Sequence, residues 1–171
     1  MVLISDILDL SKIESNTMEF NFCNISLHQV LNEIGSAQRM NMKKGVELLL
    51  DLPGQEITIA TDPTRLSQVI NNLVNNAIKF TSEGNICIGY RLATSNCVKI
   101  FVEDTGTGMA KEVIEHIFDR FYKGDAFKQG TGLGLAICRT IAERFKGKIE
   151  VASTPGKGTR FTIILPLKVE E

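Results

Sequence analysis

The chain has 171 residues, 43% of them hydrophobic and 23% charged, with a formal net charge of −1. That length can bury a core within one domain of ordinary size, and the near-balanced charge excludes the basic footprint of a nucleic-acid binder. No apolar run approaches the ~18–20 residues needed to span a bilayer, and nothing at Met1 reads as a signal peptide. Cys23, Cys87, Cys97 and Cys138 lie far apart, without C-x-x-C spacing or a histidine at zinc spacing. They read as reduced, buried thiols of a cytoplasmic protein.

Residues 2–15 place Leu3, Ile7, Leu10 and Ile13 at three- and four-residue steps, an amphipathic helix with no capping signal at its start. The abrupt start suggests a piece of a longer chain. MEFNFCNISL alternates as a short strand, and LHQVLNEIGSAQRM reads as a second helix. VELLLDLP and EITIATD are strands separated by Pro53-Gly54. Asp62-Pro63 starts a long helix that runs to about Phe80, with Leu66, Val69, Ile70, Leu73 and Ala77 on one face. NICIGYRLA and CVKIFVED are paired strands, and a short helix lies near Lys111–Ile117. Residues 122–132 carry little apolar periodicity and read as a mobile loop. LGLAICRTIAERF is a further helix ended by Gly147, and KIEVAS and RFTIILPL close the chain as a hairpin around residues 155–158. The elements lack a regular strand–helix–strand beat. That predicts an α+β fold, a two-layer α/β sandwich in which helices cover one face of a mixed, mostly antiparallel sheet, preceded by an N-terminal helix.

The long helix carries Asn71, Asn72, Asn75 and Asn76, although asparagine costs roughly 0.5–0.7 kcal/mol relative to alanine in a helix interior. At ~100° per residue, Arg65, Asn72, Asn76 and Lys79 fall in one stripe beside the apolar face. Amide oxygens there suit a hard cation shared with phosphates, whereas a merely solvated face would favour Glu, Lys and Gln. The glycine clusters 104–108, 130–134 and 156–159 match neither a Walker A loop nor a dinucleotide-binding fingerprint. Gly130-Thr131-Gly132-Leu133-Gly134 leads into a helix, where bare backbone N–H groups can meet phosphate oxygens. Asp104 reads either as a turn cap or as a carboxylate accepting from an exocyclic amine.

Taken in order, NNLVNNAIKFT, DTGTGM, IFDRFYK, GTGLGLAI and GKGTRFTIILP closely resemble the ATP-binding catalytic domain of two-component sensor histidine kinases. That family shares its Bergerat-type fold with gyrase, mismatch-repair and heat-shock chaperone ATPases. The resemblance covers residues 1–167. It implies that 1–17 form the C-terminal part of a dimerisation hairpin (its second helix) and 18–171 the ATP-binding domain.

The resemblance further implies roles at matching positions. Asn76 would be the principal Mg²⁺ ligand, with Asn72 near the γ-phosphate and Lys79 on the phosphates. Phe80 would lie beside the adenine and Asp104 would accept from its amine, Gly106 and Gly108 would permit close approach of the base, Met109 would be among the nucleotide-binding residues, and Thr159 would support the pocket. Phe118 and Phe121 would anchor a lid from about Tyr122 through Lys123 to Gly130. Thr131, Gly132, Leu133, Gly134 and Leu135 would open the helix that meets the phosphates. Asn71 and Asn75 fall outside this set, as surface or supporting residues.

ATP-hydrolysing relatives carry a glutamate four residues before the metal-binding asparagine. Here that position is Asn72, which cannot act as a base at neutral pH, so rapid hydrolysis is not expected. The family's phospho-accepting helix, roughly S-H-E-x-R-T-P, is absent, and His28 and His116 are poor substitutes for it. The expected activity is therefore transfer of the ATP γ-phosphoryl to a histidine outside this segment, for relay to a response-regulator receiver domain. The expected partners are the histidine-bearing helices of a homodimeric kinase. A cytoplasmic location follows for this segment, compatible with membrane anchoring of the full-length sensor. The alternative is a nucleotide-gated interaction module without phosphoryl transfer.

Overall fold

The structure, a computed structural model, describes residues 2–122 and 132–168, with side chains from Ile4 onward. The elements are α1 (Val2–Glu14), β1 (Cys23–Ser26), α2 (Leu27–Arg39), β2 (Val46–Asp51), β3 (Thr58–Thr61), α3 (Pro63–Phe80), β4 (Gly84–Leu92), β5 (Cys97–Asp104), α4 (Lys111–His116), α5 (Gly134–Arg144), β6 (Lys148–Thr154) and β7 (Gly158–Pro166). Five strands form one sheet in the order β2-β4-β5-β7-β6. Only β2 and β4 pair in parallel, and β3 with α3 supplies the crossover such a pair needs. The mixed, mostly antiparallel sheet expected from the sequence is therefore the one observed. The segment expected as a strand over 18–27 is shorter: only Cys23–Ser26 pairs, with β3 in a separate two-stranded sheet.

The hydrophobic alternation of the strands decides which face is covered. Ile86, Ile88 and Tyr90 on β4, Val98, Ile100 and Val102 on β5, and Phe161, Ile163 and Leu165 on β7 are all buried. They meet Leu66, Val69, Ile70, Leu73, Val74 and Ala77 of α3, together with the buried residues of α2 and α5, in one core. The start of α3 is set by Asp62, whose carboxylate accepts the N–H groups of Thr64 and Arg65 at 2.9 and 3.1 Å, while Pro63 occupies the first turn. The other Asp62 oxygen accepts the Asn21 N–H at 2.8 Å and ties the leading segment down.

The N-terminal helix buries only part of its expected apolar stripe, and buries two acidic residues beside it. Asp6 and Asp9 are buried, and Leu10 and Ile13 pack on the core, whereas Ile4, Ile7 and Leu8 are exposed. Charge pairing explains the difference. Arg65 of α3 lies 3.5 Å from Asp9, and Gln68 donates to the other Asp9 oxygen at 2.6 Å. Arg120 pairs with Glu14 at 2.6 Å, and Phe20 and Phe22 pack edge-on against Phe145. Of the thiols expected to be buried, only Cys138 is; Cys23 is exposed and Cys87 and Cys97 are half-buried, because all three sit on strands with an open face or edge. All four are free.

Leu73 is fully buried where α3 faces the sheet. Leu73→Ala should lower the unfolding free energy by about 2–5 kcal/mol, measured by urea denaturation. A loss under about 1 kcal/mol would place that face elsewhere.

Candidate functional site

Strand alternation carries polar residues to the end of the core-facing rows. On β5 the row Val98, Ile100, Val102 ends in Asp104, and on β7 the row Leu165, Ile163, Phe161 ends in Thr159. Asp104 and Thr159 are direct cross-strand partners, and Thr159 in turn faces Ser153 of β6. Asp104 is 7% exposed and accepts the Gly106 N–H at 2.9 Å, so the turn-cap reading holds. The Thr159 N–H, on the facing position of β7, lies close enough to favour its charged form. Burial pushes the Asp104 pKa above its ordinary 3.8, and these two N–H groups hold it back only in part.

The loop after Asp104 is held by backbone contacts on two sides. The Thr107 N–H donates to the Phe80 carbonyl at 3.0 Å, and a Cβ at Gly106 would collide with that same carbonyl. The Met109 N–H donates to Ser153 Oγ at 2.8 Å. Gly108 has φ +68° and lies against the Thr154 carbonyl, and Gly158 has φ +120° and lies against the Asp104 carbonyl, so neither position admits a side chain. These glycines are required by the protein's own packing. Close approach of a base, the reason expected for Gly106 and Gly108, is not needed to account for them.

The four asparagines of α3 divide. Gln38 of α2 donates to Asn71 Oδ1 at 2.8 Å and, more weakly, to Asn75 Oδ1 at 3.4 Å, so these two link α3 to α2 in the supporting role allowed for them. Asn72 donates to Cys138 Sγ of α5 at 3.7 Å. Burial pushes the Cys138 pKa up to about 12, partly offset by that Asn72 contact, so the sulfur stays a neutral thiol. Asn76 is half-buried, and its amide makes no hydrogen bond with the described residues. Lys79 is exposed at the last turn, and Arg65 is committed to Asp9 and Gln68 rather than to the asparagine stripe.

The remaining candidates are less uniform. Gly134 begins α5, and a Cβ built there meets nothing within 4 Å. Leu133 and Leu135 are buried, which directs their side chains into the core. Phe118 packs edge-on against Phe161 at 6.2 Å. Phe121, expected as a second anchor, has an exposed ring; its N–H donates to the Gly132 carbonyl at 2.9 Å, so its backbone makes the contact. The Tyr122 ring lies 5.5 Å from that of His116, and His116 Nδ1 lies 2.9 Å from Asp119. His28 bonds through Nδ1 to the hydroxyl of the buried Tyr90. Lys123, Gly130 and Thr131, and with them most of the expected lid, lie outside the described residues. Nothing in the sequence singled out Ser153 or Gln38, or the contact of Cys138 with Asn72. The hairpin register about residues 155–157 was the signal that could have placed Ser153 opposite Thr159.

A cleft of about 700 Å³ also opens between α1 and the first half of α3, lined by Asp6, Asp9, Asp62, Arg65 and Gln68 among others. Of the candidates it includes Asn72 alone, so it is distinct from the Asp104 row.

Residues 61–169 match the family described as histidine kinase-, DNA gyrase B-, and HSP90-like ATPase. The chain belongs to that ATPase family. Within it, the chain is homologous to sensor histidine kinases. It is 40% identical to the sensor histidine kinase RcsC of Escherichia coli K12 over 96% of this chain and 18% of RcsC. It is 33% identical to WalK of Bacillus subtilis, over 99% of this chain and 29% of WalK. It thus spans less than a third of either relative. The ATPase-family fold is shared with full-length ShkA in complex with AMPPNP (TM-score 0.89, 25% identity, 98% of this chain and 36% of ShkA). The catalytic domain of the histidine kinase ThkA aligns with a TM-score of 0.77 and 28% identity, over 87% of this chain and 99% of that domain.

Because the folded pKa of Asp104 is raised, acid favours the folded state at this group, and that contribution is lost as pH rises from about 3.8 through the raised value. Asp104→Asn should therefore be more stable than the parent protein at pH 7, with the gap closing toward pH 3.5. Thermal unfolding across that range measures it; a gap that is constant with pH would contradict the raised value.

Proposed function

We propose that the chain is the Mg-ATP-binding catalytic domain of a two-component sensor histidine kinase. It transfers the ATP γ-phosphoryl to a histidine on helices outside this segment, for relay to a response-regulator aspartate. On this reading, residues 1–17 are the end of the dimerisation hairpin and the remainder is the ATP-binding domain.

The observation that carries the reading is the division of labour on α3. Three of four asparagines are engaged by Gln38 or Cys138, and among the described residues the Asn76 amide oxygen has no partner. The chemistry of the surrounding residues fits the group. An amide oxygen suits Mg²⁺, and the 11-residue α5 begins at Gly134 without a side-chain cap among the described residues, so its first turn can present backbone N–H groups to phosphate. Asp104 offers an acceptor at the rim of the core. The AMPPNP bound by ShkA supports the same ligand class.

Bound Mg²⁺ would supply neutralisation of phosphoryl charge. Asn76 would hold it, Lys79 would add positive charge from the last turn of α3, and Asp104 with the Gly106 loop would orient the base. Asn72 brings an amide where hydrolysing relatives place an acid, and Cys138 holds that amide in place. No side chain on this stripe can deprotonate water at neutral pH, which favours transfer to a positioned histidine over hydrolysis.

Calorimetric titration of ATP with and without Mg²⁺ tests the metal role. Mg²⁺ should tighten binding to the parent protein by about tenfold or more, and Asn76→Ala should abolish that gain. An unchanged Mg²⁺ effect in the variant would remove Asn76 from the site. Supplying separately made histidine-bearing helices with labelled ATP should yield acid-labile, base-stable phosphate on those helices. Nucleotide binding without that product would assign the chain to a nucleotide-gated interaction module instead.

A further inference from the structure

Ser153 sits at the end of a polar row, Asp104–Thr159–Ser153, that crosses β5, β7 and β6 as successive cross-strand partners on one sheet face. Its hydroxyl meets three groups. The Met109 N–H donates to it at 2.8 Å, the Gly158 carbonyl lies at 2.9 Å, and Thr159 Oγ1 lies at 2.8 Å.

A serine hydroxyl has one proton and two lone pairs, which settles how these contacts are made. The Gly158 carbonyl can only accept, so it takes the Ser153 proton. The Met109 N–H can only donate, so it occupies one lone pair. Thr159 is left to turn its own proton toward the other. With its proton spent on Ser153, Thr159 has only lone pairs to offer a ligand, and the Asp104 carboxylate beside it also accepts. The same hydroxyl joins the loop that follows Asp104 to the β6–β7 hairpin through Met109.

We infer that Ser153 is a positioning and specificity-determining residue of the nucleotide site. It holds the Met109 backbone in place and fixes Thr159 as an acceptor, so the row selects a base bearing an exocyclic amine over one bearing a carbonyl. The inference rests on the nucleotide-binding reading above. Removing the hydroxyl frees the Thr159 proton to donate, which suits the 6-carbonyl of guanine and not the 6-amine of adenine. General damage to the pocket would weaken both nucleotides together, whereas this change moves them apart.

The experiment is calorimetric titration of Mg²⁺ with ATP and with GTP against the parent protein, Ser153→Ala and Ser153→Thr. Ser153→Ala should lose about fivefold in ATP affinity, with GTP affinity unchanged or tighter. Ser153→Thr, which keeps the hydroxyl, should restore the parent ratio. If Ser153→Ala does not fold, Ser153→Cys, a much weaker hydrogen-bonding group, should shift the ratio in the same direction. An ATP-to-GTP ratio that is unchanged in the variants, an equal loss for both nucleotides, or no restoration by Ser153→Thr overturns the inference. A parent protein that binds neither nucleotide overturns the nucleotide-binding reading and this inference with it. A parent that prefers ATP, together with a Ser153→Ala variant that keeps the preference, overturns the inference alone.

Discussion

The two-residue period of β5 and β7 is the constraint on which the site depends. Side chains alternate faces along each strand, so the rows that bury Val98, Ile100 and Val102 and their β7 partners must end on the helix-covered side. Placing Asp104 and Thr159 at those ends puts a carboxylate and a hydroxyl at the margin of an apolar core without a separate scaffold. A one-residue slip in the β5–β7 register would turn one of the two outward and separate them. Gly158 guards that register: its backbone lies against the Asp104 carbonyl at a φ of +120°, which other residues rarely adopt.

Helix α3 meets the same region from the opposite layer and serves two purposes along its length. Its apolar face fills the core through Leu66, Ile70 and Leu73. Its amides then sort by neighbour, with Asn71 and Asn75 bridged by Gln38, Asn72 held by Cys138, and Asn76 without a partner among the described residues. The last turn docks the loop after β5 through the Phe80 carbonyl. The helix that carries the proposed metal ligand thus also positions the loop beside the proposed base, and a shift in one moves the other. The first turns of α3 bind α1 through Arg65, Gln68 and Asp9.

Long amphipathic segments and alternating strands were legible because burial acts on each residue in turn; α2, α3, α5 and the β4–β5 and β6–β7 pairs lie where periodicity placed them. The buried face of α1 was legible only in part: apolar spacing pointed to Leu10 and Ile13, which pack on the core, but also to Ile7, which is exposed, and it gave no sign of the buried Asp9, whose partner Arg65 lies 56 positions away. Asn72, Asn76 and Asp104 stood out as unusual residues in regular elements. Ser153, Gln38 and Cys138 did not, because an ordinary serine, glutamine or cysteine gains meaning only from the partner that the fold sets beside it. The glycines were visible as punctuation, but their reason, contact with the backbone of Phe80, Thr154 and Asp104, required the packed structure.

The central claim is that Asp104, at the end of its strand row, reads an exocyclic amine. Comparing the affinities of ATP and inosine triphosphate, which carries a carbonyl in place of the 6-amine, tests it most directly. The parent protein should prefer ATP by about tenfold or more, and Asp104→Ala should bind the two alike. A parent protein that does not distinguish them, or an Asp104→Ala variant that still does, would contradict the account.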